Sequence, residues 1–222
     1  MKDILNYLRE LRAHNNREWF NAHKEEYTLL RKRFELYVDK IIALLSLHDE
    51  ELRGLEAKDC LYRIYRDIRF SADKTPYKCH FAAYMVRGGK NNPRAGYYLH
   101  IEPDNCMLSA GLWCPEPHVL KAVRQAIYDN CDEFVEILEN PKFKKIYAGI
   151  NEERMLKIVP RPFPRDFEYG NLLKHRDYSV IGQKEEAFFE SEDWIHRTAD
   201  ELLVAQPLNQ FLNYTYDELL DL

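Results

Sequence analysis

The segment Arg63-Ile64-Tyr65-Arg66-Asp67-Ile68-Arg69-Phe70-Ser71-Ala72-Asp73-Lys74-Thr75-Pro76-Tyr77-Lys78 gathers the side chains of this chain best suited to chemistry. Five lysines or arginines stand there against Asp67 and Asp73. A local field of that sign is answered by a bound anion or by a carboxylate network. Arginine's planar donors grip two oxygens of a phosphate or carboxylate at once, and lysine adds a point charge. Arg63, Arg69 and Lys74 are therefore candidate ligands for an anion, with Tyr77 and Lys78 overhanging from the turn. The competing reading is a structural ion-pair network in which Arg66, Asp67 and Asp73 hold the segment to itself. On a strand, Arg66 would point toward the core with Ile64 and Ile68 and need a buried carboxylate or carbonyls as partner. Phe70 and Pro76 read as packing and turn geometry.

His100 and Glu102 lie two apart on a predicted strand and share its face. Together with Asp67 they are the candidate general bases, with the arginines stabilising developing negative charge. The same pair could ligate a metal, but the sequence marks no third ligand, so no metal site is expected. Cys79 and His80 are neighbours, and adjacent strand residues face opposite sides, which argues against a thiol–imidazole dyad. Gly88-Gly89 matches neither a Walker loop nor a dinucleotide fingerprint and reads as a hairpin turn. No cofactor is expected.

Written as Arg-x-x-Arg-Asp-x-Arg-Phe-x-x-x-Lys-x-Pro-Tyr, the segment resembles the signature of a family of conserved hypothetical bacterial proteins, domain of unknown function 2461. Arg63, Arg66, Asp67, Arg69, Phe70, Lys74, Pro76 and Tyr77 fill its positions. Asn16-Arg17-Glu18-Trp19-Phe20, Gly96-Tyr97-Tyr98 and Gly111-Leu112 are similar to that family as well. The resemblance spans nearly the whole chain and implies membership without a mechanism.

With 222 residues and 45% hydrophobic side chains, the chain can bury a substantial core and fits one domain over 1–222. A net charge of −5 argues against a whole face built for nucleic acid. The charge is uneven, however: residues 61–94 hold eight Lys or Arg against two Asp, leaving −11 for the remainder. A nucleic-acid reading would use that patch from Arg63 to Arg94, with the glycine- and asparagine-rich loop Arg87–Arg94 as a mobile arm. Cys60, Cys79, Cys106, Cys114 and Cys131 form no Cys-x-x-Cys pair and suit a reducing compartment. No signal peptide or membrane-length apolar run is present, so a cytoplasmic protein with no membrane partner is expected.

The elements that must position these groups follow from periodicity. Residues 1–50 read as helical: Ile4, Leu5, Leu8 and Leu11 form one stripe. Asn15 with Glu18 suggests a capping box for a long second helix reaching Leu47, with a break midway allowed. Residues 60–113 read as an antiparallel sheet with strands at Leu61–Phe70, Phe81–Val86, Tyr97–Glu102 and Cys106–Trp113. The last two make a hairpin over Pro103-Asp104-Asn105. Ile64, Ile68, Leu99, Ile101 and Leu108 are the predicted sheet core. Residues 115–222 read as mainly helical, with a late strand at Tyr178–Ile181, a Ser191-capped helix and a last helix opened by Pro207. The fold class is α+β, a mostly antiparallel sheet with N-terminal and C-terminal helices packed on it.

Overall fold

A computed structural model describes residues 1–220 and shows an α+β fold with helices at both ends of the chain. Strands β1 (Phe81–Met85), β2 (Gly96–Ile101), β3 (Cys106–Leu112) and β4 (Tyr178–Lys184) form an antiparallel sheet in the order β1-β2-β3-β4. The chain divides into two compact units. The first comprises residues 1–91, 98–108 and 183–200; the second comprises 92–97, 109–182 and 201–222. No helix among the described residues is long and apolar enough to cross a membrane.

In the first unit, α1 (Lys2–Ala13) buries the predicted stripe of Ile4, Leu5, Leu8 and Leu11. The long second helix is two helices, α2 (Arg17–Ala22) and α3 (Lys24–Leu45), broken at His23, and the short α4 (Ala57–Cys60) follows. The His23 ring stacks on Trp19 with centroids 4.0 Å apart, and its Nδ1 lies 2.8 Å from the Trp19 carbonyl oxygen. The cap of α2 is Asn16, whose Oδ1 accepts the Trp19 N–H at 2.9 Å. Asn15, expected to be that cap, instead clamps Tyr77: Nδ2 donates to the Tyr77 carbonyl at 2.9 Å and Oδ1 accepts the Tyr77 N–H at 3.1 Å. One side chain thus satisfies both polar groups of a backbone unit that no ladder supplies.

Residues 61–70 form no regular strand, which corrects the reading from alternation. They run extended and antiparallel to residues 76–83 but touch them in two different registers. Leu61 pairs with Ala83, and the Tyr62 N–H donates to Ala82 O. Farther on, Tyr65 pairs with Tyr77 and the Lys78 N–H donates to Ile64 O. Residues 62–64 therefore face residues 78–82, so that three positions oppose five and the ladder must break between. Exposure still alternates: Ile64 is buried, Tyr62, Arg66 and Ile68 are half-buried, and the odd-numbered residues 63 to 69 are exposed. Leu99, Ile101 and Leu108 lie in the core with Ile64, whereas Ile68 does not. Phe70 is 95% exposed, because the Asp67 carboxylate accepts the Arg69 N–H and turns the chain off the sheet just before it.

The second unit packs α5 (Pro117–Asp129) and α6 (Cys131–Glu139) against α9 (Gln206–Leu220), with Phe134 against Phe211 at 5.0 Å between centroids. α7 (Pro141–Ile146) follows, capped by the Asn140 side chain. Gly111 has φ +106°, and a side chain there would collide with the Tyr178 carbonyl. Asn213 repeats the device of Asn15, accepting the Ala95 N–H at 2.8 Å and donating to the Ala95 carbonyl at 3.1 Å. Arg94, 4% exposed, is paired with Asp217. α8 (Trp194–Leu203) follows Ser191, whose hydroxyl donates to the Phe188 carbonyl rather than capping that helix.

Replacing Asn15 by Ala strands two backbone groups, whereas replacing Asn16 removes one exposed cap. Urea denaturation should show Asn15→Ala costing about 2 kcal/mol and Asn16→Ala about 1 kcal/mol. Equal losses would mean that the clamp on Tyr77 contributes no more than an ordinary cap.

Candidate functional site

The register break displaces Cys79 and His80 from any ladder. The His80 ring comes to lie against His100, with centroids 4.3 Å apart. His100 and Glu102 project from one face of β2 and its end, as period-two alternation requires, with Tyr98 preceding them on that face. The Tyr98 hydroxyl is 2.8 Å from His100 Nδ1, and His100 Nε2 is 3.1 Å from Glu102 Oε2. Asn105, from the hairpin turn, donates to the same Oε2 at 2.9 Å, and Arg12 of α1 lies 3.6 Å from Oε1. One donor atom from each of His80, His100 and Glu102 lies within 4.8 Å of the other two. His80 is the third metal-capable donor, one that the sequence reading did not place beside His100 and Glu102.

Burial dominates the electrostatics here. Desolvation pushes His80 down to about 4, helped by His100 and by the positive charge of Lys78. Desolvation also lowers His100, against the opposing pull of Glu102. Burial alone would raise the Glu102 carboxyl, but hydrogen bonds from Asn105 and His100 and the charge of the imidazoles hold it below its ordinary value. At neutral pH the cluster is thus two neutral imidazoles and a carboxylate, the protonation states that bind metals. Cys79 is engaged by the Asn15 amide at 3.3 Å, and burial raises its thiol. It has none of the activation expected of a nucleophile.

The signature cations fall into two groups. Arg69 forms a two-point pair with Asp67, Nε to Oδ1 at 3.0 Å and Nη2 to Oδ2 at 2.7 Å. The Arg69 hydrogen bonds, and then the charge of Arg63, lower the Asp67 carboxyl and make it a weak base. Arg66 binds Asp73, the Thr75 hydroxyl and the Thr75 carbonyl, which closes the 66–75 turn. Its carboxylate partner is exposed rather than buried. Lys74 donates to the Ile68 carbonyl at 3.0 Å. Tyr77 is buried, with its ring stacked on Phe20 at 4.0 Å. Arg63 and Lys78 differ: among the described residues neither makes an ion pair, and the Lys78 ammonium sits 5.3 Å from the centroid of the Tyr62 ring. Burial, then the like charge of Arg63, lowers Lys78.

The profile of a family described as conserved hypothetical protein (DUF2461) matches residues 3–211. The chain belongs to this family. No curated protein and no solved structure matches it. In this DUF2461 member the signature mostly fastens its own turn, and its register break builds the histidine cluster immediately after it.

The basic loop after β1 is pinned. The Lys90 N–H donates to Asp59 O at 3.1 Å, Gly89 N–H to Val86 O at 2.9 Å, and Arg94 is buried. An open cavity of about 520 Å³ beside it is lined by Glu50, Arg53, Asp59 and Arg87, among others, and by none of the signature cations. His80 escaped the sequence reading because strict alternation places it opposite Cys79 and says nothing of a change of register.

The Thr75 backbone N–H, then Arg66 and the Thr75 hydroxyl, hold the Asp73 carboxyl at about 2, below its ordinary 3.8. A depressed carboxylate stabilises the fold fully above its unfolded pKa and loses that contribution as pH falls through its folded one. Between about pH 4 and pH 2, wild-type melting temperature should therefore fall more steeply than that of Asp73→Asn. Parallel curves across that window would mean that Asp73 does not anchor the turn.

Proposed function

We propose that the chain binds an anionic small molecule, phosphorylated or carboxylate, at the cation pair of Arg63 and Lys78. The observation that supports this reading is the state of Lys78: a half-buried ammonium with a like-charged neighbour and, among the described residues, no counter-charge. Desolvating a cation without a partner is costly, and a bound anion removes that cost. Arg63 supplies the two-point donor, Lys78 the point charge, and Tyr62 an apolar wall for the body of the ligand. Tyr62 meets Tyr98 edge-on at 6.3 Å, so the wall continues toward His100. Any acid–base chemistry on a bound phosphate would fall to Glu102 and His100 in this reading. Arg69, Lys74 and Tyr77, grouped with the site by sequence, are engaged elsewhere; Asp67 and a carbonyl already hold the two cations. A nucleic-acid surface draws less support, since Arg94 is buried and Lys90 points its ammonium at the Asp59 carbonyl at 3.3 Å.

Phosphate, phosphorylated sugars and di- or tricarboxylates should raise the melting temperature. Saturation at a hundred times the dissociation constant corresponds to about 2.7 kcal/mol. Arg63→Ala and Lys78→Met should each abolish the shift, and Arg69→Ala should keep it. Lys78→Met should in addition stabilise the unliganded protein, because it removes a desolvated charge. A panel with no shift, or one abolished by Arg69→Ala and untouched by Lys78→Met, would overturn the assignment. Salt-sensitive binding of single-stranded oligonucleotides in its place would favour the basic patch.

A further inference from the structure

We infer that His80, His100 and Glu102 hold a divalent transition-metal ion of the zinc or ferrous class. Two imidazoles and one carboxylate are a donor set of that borderline character, and hard cations such as magnesium and calcium prefer all-oxygen shells. The geometry is near what coordination needs. Donors about 2.1 Å from a common ion lie about 3.0–3.4 Å apart in octahedral or tetrahedral arrangements; His100 Nε2 and Glu102 Oε2 are 3.1 Å apart, and His80, within 4.8 Å of both, would close in on the ion.

Two further observations point to a ligand rather than to a self-contained hydrogen-bond network. Neither ring nitrogen of His80 has a hydrogen-bond partner among the described residues, although the ring is half-buried and packed on His100. Neither nitrogen is among the sealed, unpartnered polar atoms of the structure, so both stay open to solvent and to an entering ion. The other two donors already have the outer contacts that orient metal ligands. Tyr98 lies at His100 Nδ1, which fixes the ring and leaves Nε2 toward the ion, and Asn105 and Arg12 hold the Glu102 carboxylate. When the ion binds, the Nδ1 proton faces the Tyr98 oxygen and the Nε2 lone pair faces the metal.

Three protein donors leave at least one coordination position for water or a ligand. The positive charge of Lys78 reaches both imidazoles, so an anion entering that position would meet the lysine as well. The metal inference nevertheless stands without the anion reading, and its test is run in phosphate-free buffer.

Chelator-treated full-length protein titrated with Co²⁺ should bind one equivalent and develop visible d–d absorption, which Zn²⁺ then bleaches. Proton NMR of the Co²⁺ protein should show two contact-shifted exchangeable imidazole N–H signals, one for each histidine. His80→Ala and Glu102→Gln should each weaken binding by at least about tenfold, comparable to or larger than an outer-contact loss such as Tyr98→Phe. Cys79→Ser and Arg69→Ala should leave it unchanged. The wild-type spectrum and NMR decide the matter even where a variant fails to fold. Uptake below one equivalent, no contact-shifted imidazole signals, or affinity indifferent to both His80→Ala and Glu102→Gln would overturn the inference.

Discussion

Three residues facing five across one antiparallel contact is the constraint on which the rest of the first unit depends. Leu61 opposite Ala83 and Tyr65 opposite Tyr77 cannot both be satisfied by a continuous ladder. The surplus must leave the plane, and it falls on residues 78–82. Lys78 is thereby carried over Tyr62, and His80 is swung against His100 instead of continuing a strand. Without that break, Cys79 and His80 would alternate across a strand and the cluster would lose its third member. The break persists because its narrow end is held from outside the ladder by the Asn15 amide, which takes both polar groups of Tyr77.

Irregular backbone at partly buried positions needs its N–H and C=O groups answered one by one, and the chain does this with short amide side chains. Asn15 and Asn213 each pair with the N–H and C=O of a single residue, imitating one rung of a sheet. The turn from Arg66 to Thr75 is answered differently, by charge. Asp67 caps the Arg69 N–H, Asp73 caps the Thr75 N–H, and each carboxylate then collects an arginine. The cation excess that makes the segment conspicuous is thus partly consumed in shaping it.

What was legible in the sequence is what depends on local period. The stripe of α1, the hairpin over Pro103-Asp104-Asn105, the late strand at Tyr178 and the alternation of exposure from Tyr62 to Ile68 all follow from spacing alone. What escaped depends on the partner rather than on the segment. Asn15 and Asn16 are chemically identical caps, and only the proximity of Tyr77, 62 positions away, takes one of them. Arg94 looked like part of an exposed arm because its partner, Asp217, lies 123 residues farther on. Phe70 looked like packing because alternation was extended one residue past the Asp67 turn. The place of His80 beside His100 escaped for the same reason, since a change of register has no signature in one strand read alone.

Arg94, Arg66 and Lys78 are neutralised in different ways. Arg94 is almost wholly buried and meets a carboxylate; Arg66 is three-quarters covered and meets a carboxylate, a hydroxyl and a carbonyl. Both are arginines, whose several donors let one side chain satisfy several acceptors in place. Lys78 is half-buried and, among the described residues, meets only an aromatic face and the field of Arg63. A single mobile point charge is poorly suited to holding a turn together and well suited to following a ligand. The neighbouring His80 ring is likewise half-buried with neither nitrogen engaged among the described residues, and it packs on His100 rather than continuing a strand.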